Sequence, residues 1–367
     1  MTKRRSNRQI GVKDLLISLV LIVIVMAAQE FLGLDLSAAL TVVEAEPTGA
    51  LQVYFTGPRF PDQGDRTGGL DTRLAAAIDL AERSVDVAAF DLDLPSVTGA
   101  LVRADRRGVR VRLVTDTDYE DEWGPTELRR AGIPVVTDQR SAFMHNKFVV
   151  IDGQQTWTGS WNLTENGTYR NNTNLVVIHS SKLAANYTSE FEEMFERGEF
   201  GPASSDATPH PDIELNGVRI ETIFESEGAA RDRMITLISE ARSSIAFMAF
   251  VFTDDDIAEA IIARHRAGLD VAGVIEARNA EGSGSDFGAF EQVGIDILKD
   301  GNPYVMHHKV IIVDKSIVIT GSYNFSASAA NNNDENVLII HSPQIAATYL
   351  DEFDRVYEQA AVAARGD

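Results

Sequence analysis

The sequence predicts an α/β chain of two tandem halves, each a mixed sheet flanked by helices. A pseudo-twofold relates the halves, and an apolar N-terminal segment precedes them. Three observations carry this. One 18-residue frame occurs twice, helix-like segments alternate with short β-branched runs, and the first 28 residues differ in composition from the rest.

The N-terminal segment comes first. Lys3, Arg4, Arg5, Arg8 and Lys13 precede an apolar run over residues 15–28. That length suits the core of a signal peptide better than a full membrane span, which needs about 20 residues. Ala27, Ala28 and Ala45 offer cleavage points. Cleaved or retained as a membrane tether, a basic flank on the inside puts the body outside the cytoplasm. Residues 1–46 are therefore expected to be a signal peptide or anchor with its spacer.

The body then divides itself. From His145 the chain reads HNKFVVIDGQQTWTGSWN, and from His307 it reads HHKVIIVDKSIVITGSYN, 162 residues later. Upstream, SVDVAAF ending at Phe90 matches SIAFMAF ending at Phe250 at an offset of 160, and downstream Asn174 matches Asn336. A fixed offset over this length is the mark of a duplication. The expected domains are 47–200 and 217–362, joined by a linker over 201–216 that is rich in Pro, Ser, Asp and Gly. Within the first half the pattern predicts a helix over 70–83, a strand over 85–90, a helix over 96–107 stopped by Gly108, and a strand over 109–115. The apolar runs 148–151 and 310–313 read as short buried strands.

Composition narrows the chemistry. The formal charge is −22, and the bases of the N-terminal segment make the remainder more acidic still. Such a field repels polyanions at long range, although screening confines it to about 8 Å at physiological salt. There are no cysteines, which excludes disulfides, thiolate nucleophiles and Cys–zinc sites.

Chemistry concentrates in the repeated frame. Each copy holds His-x-Lys, an Asp five residues after the Lys, and then Gly-Ser-x-Asn. On a strand, residues two apart share a face, so His145 with Lys147 and His307 with Lys309 present paired side chains. Adjacent His307 and His308 point oppositely, which is no metal signature. Imidazole can act as nucleophile and as general acid near neutral pH, and charge developing on phosphoryl oxygens needs fixed donors. Lys147, Lys309, Asn162 and Asn324 supply such donors, to which the Ser160 and Ser322 hydroxyls can add. Asp152 and Asp314 are grouped with the catalytic set, with loop bracing as their favoured role. Trp161 and Tyr323, inside Gly-Ser-x-Asn, could face a substrate group. His179 and His341 share a repeat position and read as structural.

His-x-Lys-x4-Asp-x6-Gly-Ser-x-Asn, present twice, resembles the HKD signature of the phospholipase D superfamily. The resemblance implies two phospholipase D-like domains meeting at one site, in a monomer with pseudo-dimeric halves. One histidine would attack phosphorus to form a phosphohistidine, and the other would protonate the leaving oxygen and then activate water. It implies no metal and no cofactor. In the family the acid after one motif pairs with the histidine of the other. Glu335 would thus orient His145, making it the nucleophile and His307 the acid, and nothing in the sequence shows what orients His307, because Thr173 stands where Glu335 has its counterpart. The favoured substrate is a phospholipid, releasing phosphatidic acid. The alternative is an HKD endonuclease acting on DNA or RNA, because the second motif resembles the bacterial HKD endonucleases and the mitochondrial cardiolipin hydrolase branch.

Overall fold

The computed structural model describes residues 45–58, 64, 66–204, 208–225 and 229–366. The expected signal or anchor segment lies almost wholly outside these residues. Among the described residues no helix is long and apolar enough to cross a membrane.

The first half forms an eight-stranded sheet from β1 (Ala45–Thr48), β2 (Leu51–Phe55), β3 (Ser84–Ala89), β4 (Arg110–Thr115), β5 (Val135–Thr137), β6 (Lys147–Ile151), β7 (Gln155–Gly159) and β8 (Asn174–His179), in the order β1-β2-β8-β7-β6-β3-β4-β5. The second half repeats it with β9 (Asp212–Leu215), β10 (Val218–Phe224), β11 (Ser244–Ala249), β13 (Asp270–Ile275), β14 (Asp296–Lys299), β15 (Lys309–Val313), β16 (Ile317–Gly321) and β18 (Asn336–His341), ordered β9-β10-β18-β16-β15-β11-β13-β14. β12 (Phe252–Thr253) and β17 (Phe325–Ser326) pair with each other. In both sheets the parallel pairs are confined to one edge, β3-β4-β5 and β11-β13-β14, and the remaining pairs are antiparallel. Each sheet is therefore mixed, as expected.

The boundaries move for identifiable reasons. The helix expected over 70–83 stops at Asp79. The Asp152 carboxylate accepts the backbone N–H groups of Glu82, Arg83 and Ser84, which turns the chain into β3. The expected linker 201–216 is partly structured: β9 lies within it and pairs with β10 to complete the second sheet. Its signal was hidden because Pro211 and the Asn216-Gly217 turn flank a strand of only four residues.

The strands alternate two apolar faces. Phe148 and Val150 in β6, with Val310 and Ile312 in β15, enter one core shared by both halves. That core includes Leu183, Tyr187 and Phe191 from the helix Ser181–Glu192, and Ile345, Tyr349 and Phe353 from the helix Pro343–Arg365. Ile311 and Val313 face the opposite way, into a second core under the helices Ala230–Ser239 and Asp255–Arg266. Burial on both faces explains why these strands read as continuous apolar runs. A side chain at Gly321 would place Cβ 2.1 Å from the Asn336 carbonyl oxygen, and φ is +142° there; Gly159 meets the Asn174 carbonyl in the same way. Only glycine lets β16 and β7 approach their neighbours so closely at the strand end that leads into the site.

Candidate active site

The Lys of each His-x-Lys pair opens a central strand with its His just ahead of it, and each pair is tied to the opposite half. The His145 N–H donates to the Asp334 carbonyl (3.0 Å), and the Asp334 N–H donates to the Phe143 carbonyl (2.9 Å). The repeat mirrors this: the His307 N–H donates to the Asn172 carbonyl (2.8 Å), and the Asn172 N–H to the Val305 carbonyl (3.0 Å). Reciprocal stitching of this kind brings the two motifs into one buried cluster, where His145, Lys147, His307 and Lys309 are each less than a tenth exposed.

The imidazoles are held differently. Glu335 places both carboxylate oxygens 2.8 Å from His145 Nδ1, across the halves, as the resemblance implied. Glu335 is itself held by the Ser322 hydroxyl (2.6 Å) and by Asn333 Nδ2 (3.2 Å). His307 Nδ1 faces the Ser160 backbone carbonyl (3.0 Å). Acceptors at both Nδ1 atoms put the ring proton there and leave Nε2 with its lone pair, a tautomer assigned from the partners. Thr173, the counterpart of Glu335, is too short to reach a ring and instead meets Thr56 Oγ1 (2.8 Å) and the Gly167 carbonyl (3.3 Å).

Both ammonium groups sit over aromatic rings, Lys147 above Phe90 (4.8 Å) and Lys309 above Phe250 (4.9 Å). The same rings lie against His145 (4.9 Å) and His307 (4.6 Å). Lys147 Nζ donates to its neighbour's carbonyl, His145 O (2.9 Å), and Lys309 Nζ reaches His307 Nε2 and His307 O (both 3.3 Å). Among the described residues neither ammonium is bonded to a carboxylate. Burial pushes His145 down to about 4 against the pull of Glu335, and Lys147 down to about 7. His307 and Lys309 are likewise driven well below their ordinary values, by burial first and then by the neighbouring cations. Burial would raise Glu335, but His145 and Lys147 outweigh it and hold the carboxylate below its usual value. An anion placed among these groups would raise both histidines and both lysines back toward their ordinary values.

The other expected site residues separate into two groups. Among the described residues the buried Oδ1 atoms of Asn162 and Asn324 have no hydrogen-bond partner, so both amides are uncommitted. The serine hydroxyls are not free phosphate donors: Ser322 serves Glu335, and Ser160 donates to Asn174 Oδ1 (3.0 Å). Asp152 and Asp314 stand at the far ends of their strands, bracing residues 82–84 and 242–244 through three backbone N–H groups each. Five residues of strand, roughly 16 Å, separate Asp152 from Lys147, so neither aspartate belongs with the chemical actors. Trp161 is buried and donates to Thr168 Oγ1, and Tyr323 is buried against Phe325, so neither is an exposed substrate contact. His341 binds Glu221 Oε1, a structural role, whereas His179 is exposed.

Sequence reasoning passed over Phe90 and Phe250, although both end the upstream repeat. It also passed over the buried amide networks. Asn336 bonds Asn146 and Thr158, and Asn174 bonds Thr320 and Tyr349. The shared offset of 162 between Thr158 and Thr320 was the available signal.

Two duplicated α/β halves with one crossed His-x-Lys site define a phospholipase D-like protein. The chain belongs to the family described as "Cardiolipin synthase, PLD-like domain", which it matches over residues 74–195 and 234–357. It is 38% identical over 142 residues to the mitochondrial cardiolipin hydrolase of Xenopus tropicalis, covering 38% of this chain and 66% of that protein. With the phospholipase D of Rickettsia prowazekii (strain Madrid E) it shares 34% over 137 residues, 37% of this chain and 67% of the relative. Its matches thus span about two thirds of these relatives, and 52% of the human mitochondrial cardiolipin hydrolase. The phosphatidylserine synthase of Haemophilus influenzae Rd KW20 superposes over 81% of this chain and 86% of that one (TM-score 0.60, 13% identity), a likeness of fold.

Proposed function

We propose that the chain hydrolyses a phosphodiester by two in-line displacements at phosphorus and that its substrate is a glycerophospholipid, from which it releases phosphatidic acid. In the first step His145 Nε2 forms the N–P bond while the P–O bond to the head group breaks, and His307 gives its Nε2 proton to the departing oxygen. In the second, His307 takes a proton from water, the hydroxyl adds to phosphorus, and His145 departs. The arriving diester anion supplies the negative charge that lets His307 take up its proton. Lys147, Lys309, Asn162 and Asn324 supply the donors for the equatorial oxygens.

One observation carries the assignment of roles. Phosphorylation at Nε2 makes the ring a cation whose Nδ1–H must be held, and a carboxylate stabilises it more than a carbonyl does. Glu335 gives that carboxylate to His145, and His307 has only the Ser160 carbonyl. The phospholipid half of the reading rests on the names of the relatives and on the acidity of the chain. The same reading takes the N-terminal segment as an export signal or tether, testable by protease accessibility in intact cells, and one chain as sufficient for activity.

The purified chain should be offered phosphatidylcholine vesicles, single-stranded DNA and an aryl phosphodiester side by side in excess EDTA. Turnover of the lipid and the aryl diester is expected, with acid-quenched phosphorus on His145. An activated aryl leaving group should rescue His307→Ala but not His145→Ala. Turnover of DNA alone would transfer the substrate to nucleic acid, and a requirement for a divalent ion would defeat the mechanism.

A further inference from the structure

The two backbone stitches across the halves have different side-chain locks. On the His145 side, the Asp334 carboxylate is wholly buried, ion-pairs with Arg140 and accepts the Gly201 N–H. Arg140 also donates to the Asn332 carbonyl (3.2 Å), and its guanidinium lies 5.6 Å from the Phe200 ring centre. Gly201 packs so tightly that a Cβ would fall 2.0 Å from Arg140 Nη1 and 2.9 Å from the Asn332 carbonyl, with φ at +56°. On the His307 side, the repeat equivalents of Asp334 and Arg140 are Asn172 and Asn302, joined by an amide hydrogen bond from Asn302 Nδ2, which also reaches the Arg170 carbonyl (3.1 Å). Each lock sits one residue before position 335 or 173, the positions that do and do not carry a carboxylate.

We infer that these are separate positioning braces, one per histidine: Arg140–Asp334–Gly201 holds Glu335 on His145, and Asn302–Asn172 holds His307 on the Ser160 carbonyl. This rests on the proposed hydrolysis for its kinetic readout only. The physical reason lies in the geometry. Glu335 must keep both oxygens at 2.8 Å from Nδ1, and its backbone is anchored by Asp334 on one side and by β18 on the other. A shift of about 1 Å in such a group is enough to cost a large factor in rate. The first brace also reaches the segment that joins the halves, so the link at Gly201 is part of the support of one histidine and not of the other.

The test compares three variants of the full chain. Arg140→Asn with Asp334→Asn rewrites the first brace as the amide pair of the second, with Asp138→Asn added so that the buried carboxylate 3.5 Å from Arg140 is not stranded; Gly201→Ala, which pushes the guanidinium aside, gives an independent check. Asn302→Ala removes the second brace. The first two should lower kcat/KM about tenfold or more on alkyl and aryl diesters alike, the signature of a misplaced nucleophile. Asn302→Ala should lower it about tenfold on the alkyl diester and less than about threefold on the aryl one. In 15N-histidine spectra the first pair should move the His145 Nδ1 resonance alone, and Asn302→Ala that of His307 alone. Shifts of both rings by either variant, or of neither, would overturn the inference. Exchanged leaving-group signatures with the spectra as expected would leave the braces standing and reverse the proposed roles of the histidines. Absence of any diesterase activity would remove the reaction while the spectra still decide the braces.

Discussion

Replacing Glu335 by glutamine removes one charge and almost no volume. In the native site the carboxylate holds His145 Nδ1 with both oxygens at 2.8 Å and also accepts from Ser322 and Asn333. The amide retains an oxygen for the Ser322 hydroxyl and the ring, so no buried charge is stranded and the fold should survive. What is lost is a charged acceptor to an imidazole that becomes cationic in the phosphoenzyme. Hydrogen bonds to charged groups contribute about 1.5–3 kcal/mol, which at 1.36 kcal/mol per decade is about 10–150-fold in the rate of phosphoenzyme formation. The assay is a rapid-quench burst with an aryl diester. Because the defect lies in the nucleophile, an alkyl diester should be slowed by the same factor. A Glu335→Gln protein with an undiminished burst, or one slowed on alkyl diesters only, would refute the pairing of Glu335 with nucleophilic attack.

Three further outcomes are expected. kcat/KM should be bell-shaped in pH: it rises as His145 loses its proton through about 4 and falls as the acid His307, held well below its ordinary value, and then Lys147, through about 7, lose theirs; a descending limb only above about 9 would show that both keep their protons. Asp152→Ala and Asp314→Ala should each lose about 1–3 kcal/mol of stability with turnover unchanged. Burial raises both carboxyls, but backbone N–H donors hold them below 3.8, so this stability is present above that value and is lost as pH falls through the lower folded one; the gap in Tm to wild type should close in acid. Gly321→Ala should fail to fold or lose more than about 3 kcal/mol, and a folded protein with native Tm would show that β16 can move away from Asn336.

The sequence disclosed whatever is encoded by residue type at a fixed offset. The His-x-Lys pairs, the glycines ending β7 and β16, and the helix–strand alternation all repeat, and Glu335 stood out because its counterpart is Thr173. The support of His307 was illegible because a backbone carbonyl, that of Ser160, supplies it, and every residue has one. The serine hydroxyls were misread for a related reason: a short polar side chain can turn toward the substrate or back toward Asn174 and Glu335, and only packing decides. The Arg140–Asp334 lock joins positions 194 apart with no shared motif, and its partner lock, Asn302–Asn172, has unlike chemistry. Comparing the copies for charge marks each of the two positions, as it marked Glu335, but nothing in the sequence joins them to each other.

The apolar core passes from one sheet into the other without a break, and that fixes how the molecule can be divided. Parting the halves would expose the faces that meet, such as Tyr187 against Phe224 (ring centres 5.1 Å apart), so a chain cut between Gly201 and Pro211 should yield two fragments that aggregate singly and reassemble when mixed. A symmetric dimer of one such half would have to write every substitution twice, once in each copy of the site. Joining the copies in one chain lifts that restriction: a glutamate can be placed beside one imidazole and a threonine left beside the other. The difference between two chemically identical histidines then becomes something a single codon can set.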